Sequence, residues 1–260
     1  MVRMNRFDLY TACAQAPEQL VAVLRAIHGN DPIVLGEDFS GAARLSAAWL
    51  ASVPGGRAVA VDHDADAIGL IEPRDGLVVL HGDVIDAVDC RIHAADVVHA
   101  GNFSIGEWHR RTQLMNYLRH ARRRLGDGGV FACDVYGGET AFACGSVIQE
   151  CLGPGGEVIT YTWEQRRADP LTGLVENVMH FEVTDPDGRS ESHRDAFTYR
   201  WRLWSIAELR DAMHASGFAR VDVYPKIPDA MDGDGNAFVE PFSGDDLDAD
   251  YDVLVIGRGR

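Results

Sequence analysis

Apolar residues along the chain change their spacing twice, and each change predicts a change of architecture. From Phe7 to Ile27 they recur at near-helical intervals (Leu9, Cys13, Leu20, Val23, Leu24, Ile27). Pro17 with Glu18 suits the opening of a second helix, because proline at a first helical position gives up no intrahelical bond. His28, Gly29 and Asn30 close it, which predicts a helical cap over residues 1–30. From Pro32 onward short apolar runs take over, at Ile33–Leu35, Ala58–Val61, Leu77–Leu80, Asp96–His99 and Val130–Val135. Helical stretches separate them at Ala42–Ala51, Ala65–Ile71 and Arg110–Leu125, the last stopped by Gly126–Gly129. Strands that alternate with helices in this way build a parallel sheet.

After Val135 the rhythm breaks. Val158–Gln165, Val175–Val183 and Ala196–Trp204 read as three consecutive strands joined by turn-rich segments at Asp169–Gly173 and Asp185–Ser190. They predict an inserted three-stranded antiparallel lid over residues 157–203. Ser205 and Glu208 form a capping-box pair that opens a helix ended by Gly217. Ala219–Tyr224 and Tyr251–Ile256 then read as an antiparallel edge pair, separated by an Asp-rich, solvated loop between Asp229 and Asp250. The expected fold class is α/β, a single domain over residues 1–260. It is a Rossmann-like doubly wound sheet of about seven strands, with an antiparallel C-terminal edge hairpin and the small inserted lid.

Composition narrows the function classes. With 260 residues and 46% hydrophobic content there is ample core for one large domain. No stretch has the apolar length of a membrane span or the layout of a secretory leader, so a cytoplasmic protein is expected. Cys13, Cys90, Cys133, Cys144 and Cys151 are scattered without a CxxC pair, which suggests neither a disulfide framework nor zinc. A formal charge of −16 opposes nucleic-acid and anionic-membrane partners. The histidines show no HExxH spacing. Asp232–Asn236 starts like a calcium loop, but Ala237 and Ser243 stand where glycine and glutamate are needed, so no metal is expected.

The chemistry-bearing residues lie at strand ends, where doubly wound sheets bind ligands. The first run is followed by Gly36-Glu37-Asp38-Phe39-Ser40-Gly41-Ala42-Ala43. The second ends in Asp62, about 20 residues downstream, the spacing at which an acid reaches ribose hydroxyls. The third ends in His81-Gly82-Asp83-Val84. Any one of these acids is as readily a helix N-cap as a ligand contact; the three in register favour a ligand.

Order, spacing and acids together resemble the class I S-adenosylmethionine-dependent methyltransferases. The resemblance implies that Glu37 is the acid before the glycine loop, Gly41 its central glycine, Asp62 the ribose acid and Asp83 the adenine contact. Phe39, Ser40, His63, Val84 and Asn102 complete the implied cofactor set, with Asn102 at the fourth strand end. Gly101–Trp108 resembles the stretch between methyl donor and acceptor in small-molecule members. Tyr10–Glu18, Glu37–Gly41, Trp163-Glu164-Gln165 and Tyr199–Leu209 are similar to a bacterial subgroup of small-molecule type. Phe39 and Ala43 depart from the family, which usually has glycine at both positions.

The implied activity is transfer of a methyl group to a small-molecule amine or hydroxyl by in-line displacement. Tyr10, Asn102 and Glu164 are the catalytic candidates, and Tyr10, Trp108, Tyr136 and Arg202 the substrate contacts. Taken one by one, Tyr10 and Tyr136 read more readily as packing aromatics. Glu164 and Arg202 are expected to form either a structural ion pair or a substrate-orienting one. A competing reading is a non-catalytic cofactor-binding or interaction protein whose altered glycine loop has lost productive binding. The aromatic-rich insertion is also compatible with a homo-oligomer. A nicotinamide-dependent oxidoreductase needs a GxGxxG turn that Glu37–Ala43 does not supply.

Overall fold

All five apolar runs between Pro32 and Val135 become neighbouring parallel strands in the computed structural model, which describes residues 4–243 and 246–259. They are β1 (Val34–Asp38), β2 (Arg57–Asp62), β3 (Leu77–His81), β4 (Ala95–Ala100) and β5 (Leu125–Gly138). The helices α3 (Arg44–Ser52), α4 (Ala65–Ile68), α5 (Val84–Ala87) and α6 (Arg111–Arg124) connect them in that order. α6 ends at Arg124, just before Gly126–Gly129, as expected, and the chain passes directly into β5. The glycine-rich run forms a bulge: Leu125 pairs with Ala95 and Val130 with Val97, so Gly126–Gly129 loop out opposite Asp96.

The sheet has seven strands, in the order β10-β13-β5-β4-β1-β2-β3, where β10 is Arg220–Pro225 and β13 is Asp250–Arg258. The last two strands pair antiparallel, as expected, and β13 runs between β5 and β10, antiparallel to both. That position explains two features. Pairing from Val130↔Arg258 to Gly138↔Asp250 extends β5 beyond its apolar run, and Val253–Ile256 are fully enclosed. The Asp-rich loop holds only the two-residue strands β11 (Ala230–Met231) and β12 (Ala237–Phe238). Asp232 braces it by accepting from the Asp234 and Asn236 amides. Gly244 and Asp245 of this loop, and residues 1–3 of the predicted cap, lie outside the described residues.

The chain divides into two compact units. One comprises Pro17–Glu139 and Trp204–Arg260 and contains the seven-stranded sheet. Within it α2 (Pro17–His28) buries Val23, Leu24 and Ile27 in a core shared with Trp49, Leu35 and Tyr224. α7 (Ile206–Ala215) starts as its sequence predicts: Ser205 Oγ accepts from the Glu208 amide at 3.2 Å and Glu208 accepts from the Ser205 amide at 3.0 Å. Removing this cap by Ser205→Ala is expected to cost about 1 kcal/mol, a drop in Tm of roughly 2–4 °C by calorimetry.

The other unit is made of Met1–Ala16 and Thr140–Leu203. Its sheet is antiparallel, as predicted, but has four strands: β6 (Gly145–Leu152), β7 (Val158–Asp169), β8 (Leu174–Thr184) and β9 (Ser190–Arg202). β6 escapes sequence reading because it is an edge strand exposed along nearly all its length, so burial imposes no alternation on its residues. Leu9 of α1 (Arg6–Ala14) packs with Ile159, Tyr161, Met179 and Phe181 to form this unit's core.

Candidate functional site

The loop after β1 has a left-handed backbone at three positions, only one of which is glycine. Phe39, Gly41 and Ala43 all have positive φ, at 56°, 53° and 53°, a region that costs non-glycine residues about 1–2 kcal/mol each. The Phe39 ring turns into the core instead of covering the loop. It meets Tyr117 edge-on at 5.7 Å and Trp108 at 6.1 Å, while Trp108 stacks on Tyr117. A Cβ built on Gly41 meets nothing within 4 Å, so the loop's central face is open. Beside it the buried Ser40 hydroxyl has no hydrogen-bond partner.

Glu37 lies beneath this loop, and its carboxylate faces α3. Its Oε2 accepts from the Ser46 amide at 2.8 Å and the Ser46 hydroxyl at 2.5 Å. The cap position of α3 is Ala43, which has no side chain for the task, so Glu37 supplies it from the neighbouring strand. Burial pushes the Glu37 carboxyl up to about 7, against the pull of its Ser46 bonds. Asp38, the second acid, is fully buried against Arg124 at 2.5 Å and Tyr117 at 2.8 Å.

Asp62, at the end of β2, points back to the same loop: Oδ2 accepts from the Gly41 amide at 2.6 Å and Oδ1 from the Asp64 amide at 2.8 Å. Its side chain keeps 12% exposure, and the exposed His63 ring lies 4.0 Å away. Asp83, after β3, is itself exposed and N-caps α5 through Oδ1, at 2.8 Å from the Ile85 amide. Val84 places its side chain in the core, leaving only its main chain toward the strand end.

Beyond β4 the chain makes a strained turn, with Asn102 at φ 54° and Phe103 at φ 61°. Gly101 precedes them because a Cβ there would overlap the His99 ring. Asp134 of β5 holds the turn, accepting from the Phe103 amide at 3.0 Å, and the Phe103 ring meets Tyr136 edge-on at 5.0 Å. Lys226, just past β10, donates to Asp134 at 2.8 Å and to Asp252 at 3.0 Å. Burial opposes charge on Asp134, but Lys226 and His99 outweigh it and hold its carboxyl below the usual range. Asp252, more weakly compensated against burial, is pushed up to about 6. Burial draws His99 down to about 4, leaving its ring neutral near pH 7.

His99, Asp134, Lys226 and Asp252 were not among the residues expected from sequence. Asp134 carries a readable signal, as the one acid inside the apolar run Val130–Val135. Lys226 and Asp252 carry none locally, since tertiary packing alone brings them together.

Tyr10, Glu164 and Arg202 belong to the other unit, where Tyr10 packs on Phe197 at 5.3 Å. The expected Glu164–Arg202 pair is not what the register gives. Glu164 lies across β7 and β8 from Val178, whereas Arg202 pairs with Leu174, four residues along β8. Glu164 accepts instead from Arg166 at 2.9 Å and His180 at 3.0 Å. The Arg166 bond, ahead of the one from His180, holds its carboxyl below the usual range. Among the described residues no cluster of three or more His, Cys, Asp or Glu is placed to hold a metal, and no helix is long and apolar enough to cross a membrane.

No protein-family model and no curated protein matches the chain. Solved structures do. CalS10, an amino pentose methyltransferase from Micromonospora echinaspora solved with S-adenosylmethionine bound, is 13% identical with a TM-score of 0.68, over 100% of this chain and 99% of that one. DesVI of Streptomyces venezuelae is 16% identical with a TM-score of 0.70, over 99% and 100% of the two chains. The sugar N-methyltransferase KedS8 from Streptoalloteichus sp ATCC 53650 is 18% identical with a TM-score of 0.64, over 98% and 92%. The chain has the fold that these three structures share.

Proposed function

We propose that this chain is an S-adenosylmethionine-dependent methyltransferase acting on a small-molecule amine or hydroxyl. The observation that carries the reading is the loop over residues 39–43. It keeps a left-handed backbone at all three glycine positions although two of them are not glycine, and Asp62 is tied to its centre. Strain of this kind persists where the surrounding structure enforces it, which is characteristic of ligand sites. The inward Phe39 ring supports this reading over the competing one, because it leaves the face of the loop at Gly41 open.

The residues present fit the cofactor. Asp62 is an acceptor for ribose hydroxyls, Asp83 an acceptor for an adenine amino group, and the open Gly41 backbone with the unpartnered Ser40 hydroxyl suits the polar remainder. Bound S-adenosylmethionine would supply an electrophilic methyl on a sulfonium. The protein's own part is then alignment and exclusion of water, with Asn102 presented at the fourth strand end. A hydroxyl acceptor needs a general base within hydrogen-bond reach. An amine acceptor, bound neutral, needs none, and this favours the amine. The amino pentose and sugar N-methyltransferases among the similar structures are in keeping with that choice.

Calorimetric titration with S-adenosylmethionine and S-adenosylhomocysteine tests the reading. The wild type is expected to bind at about micromolar Kd. Asp62→Ala, which removes charge-assisted bonds, is expected to weaken binding at least ~100-fold, and Asp62→Asn, which preserves shape, by less. A wild-type protein that binds neither ligand would remove the methyltransferase reading and leave the non-catalytic one.

A further inference from the structure

Of the 24 lysines and arginines in the chain, Lys226 is the one lysine. Every other fixed cation is a guanidinium, so the position that keeps an ammonium invites a physical reason. The structure supplies one. Its Nζ sits between Asp134 and Asp252, at 2.8 and 3.0 Å, and 4.7 Å from the centre of the Phe103 ring. The Asp134 side chain is 3% exposed and that of Lys226 28%. A compact ammonium with three donors bonds both carboxylates and lies over the aromatic ring from a single atom.

The arrangement has a purpose beyond its own pairing. Asp134 divides its two oxygens, giving Oδ2 to Lys226 and Oδ1 to the Phe103 amide. Lys226 thus grips the strained turn twice, through Asp134 on its backbone and through the Phe103 ring above it. Asn102 and Phe103 both occupy the left-handed region without being glycine, so the turn needs external anchors to hold that shape. It follows β4, on the carboxyl edge where a doubly wound sheet binds its ligand. Without the ammonium, Asp134 becomes a buried charge supported mainly by one amide, and such a group protonates or moves.

We propose that Lys226 is a positioning residue of the cofactor site: held between Asp134 and Asp252, it fixes the Asn102–Phe103 turn in the conformation that completes that site. The inference rests on the function proposed above and adds a role for a residue remote in sequence from every strand-end motif.

Hydrogen exchange and calorimetry on the full-length wild type, Lys226→Met and Lys226→Arg test it together. In Lys226→Met, amides of residues 101–108 are expected to exchange at least ~10-fold faster, with the central strands unchanged. S-adenosylhomocysteine is expected to bind about ten-fold more weakly. Lys226→Arg, which preserves the charge and guards against misfolding of the methionine variant, is expected to show both effects in reduced form. Unchanged exchange at 101–108 in both variants overturns the inference, as does faster exchange with undiminished affinity, since the turn would then be held for stability alone. Absence of binding by the wild type overturns the reading beneath it, an outcome distinct from variants that bind as tightly as a binding wild type.

Discussion

Asp38→Ala is expected to destabilise the protein by about 3–5 kcal/mol, enough to unfold a large fraction of it under mild denaturant. Asp38 and Arg124 are both fully buried and meet at 2.5 Å, with Tyr117 donating to the other carboxylate oxygen. Arg124 already leaves Nε and one terminal nitrogen without partners, so removal of Asp38 strands the whole cation in the core. Gly36 has been shaped around the same guanidinium, because a Cβ there would overlap it. The double variant Asp38→Ala/Arg124→Met, which withdraws both charges, is expected to lose less than Asp38→Ala alone. Urea midpoints of the wild type, Asp38→Ala, Arg124→Met and the double variant decide the matter. Simple additivity of the single losses would mean that the pair is not coupled.

The second large effect is on pH dependence. Glu37 is buried and its carboxyl lies at about 7, above its ordinary value of 4.5. The folded state therefore holds this proton more tightly than the unfolded chain does. Its stabilisation is complete below about pH 4.5 and is lost as pH rises through 7, with a total on the order of 3 kcal/mol. His99 works in the opposite sense: drawn down to about 4 from 6.5, it withholds stability as pH falls through that window. The two offset each other between about pH 4.5 and 6.5, so the Glu37 contribution must be read as a difference between proteins. Glu37→Gln, which can still accept from Ser46, is expected to gain on the wild type in Tm from pH 5 to pH 8 and to level off above. A Tm difference that stays flat over this range would show that Glu37 is already ionised in the folded protein.

Glu37 also illustrates how far a motif carries. Its identity as the acid before a glycine loop was legible, and so was the loop's place between a strand and a helix. What the carboxylate touches was not. Ala43 leaves the start of α3 without a side-chain cap, and Glu37 meets that need from the adjacent strand, nine residues from Ser46. Asp83 reads as an N-cap and is one: its Oδ1 accepts from the Ile85 amide at 2.8 Å.

The sequence by itself determined whatever is settled within one or two turns of chain. Period separates the parallel strands from their helices, Ser205 and Glu208 cap α7 within four residues, and the acids fall at the ends of β2 and β3. Tertiary structure alone decided what depends on partners far along the chain. It placed β13 between β5 and β10, made an edge strand of β6, and turned the Phe39 ring onto Trp108 and Tyr117. It also gathered Asp134, Lys226 and Asp252 around the Asn102–Phe103 turn, from positions 92 and 26 residues apart. The physical reason is one of range. Backbone propensity, capping and amphipathic period act between near neighbours, whereas burial and ion pairing act between whichever residues the folded chain brings into contact.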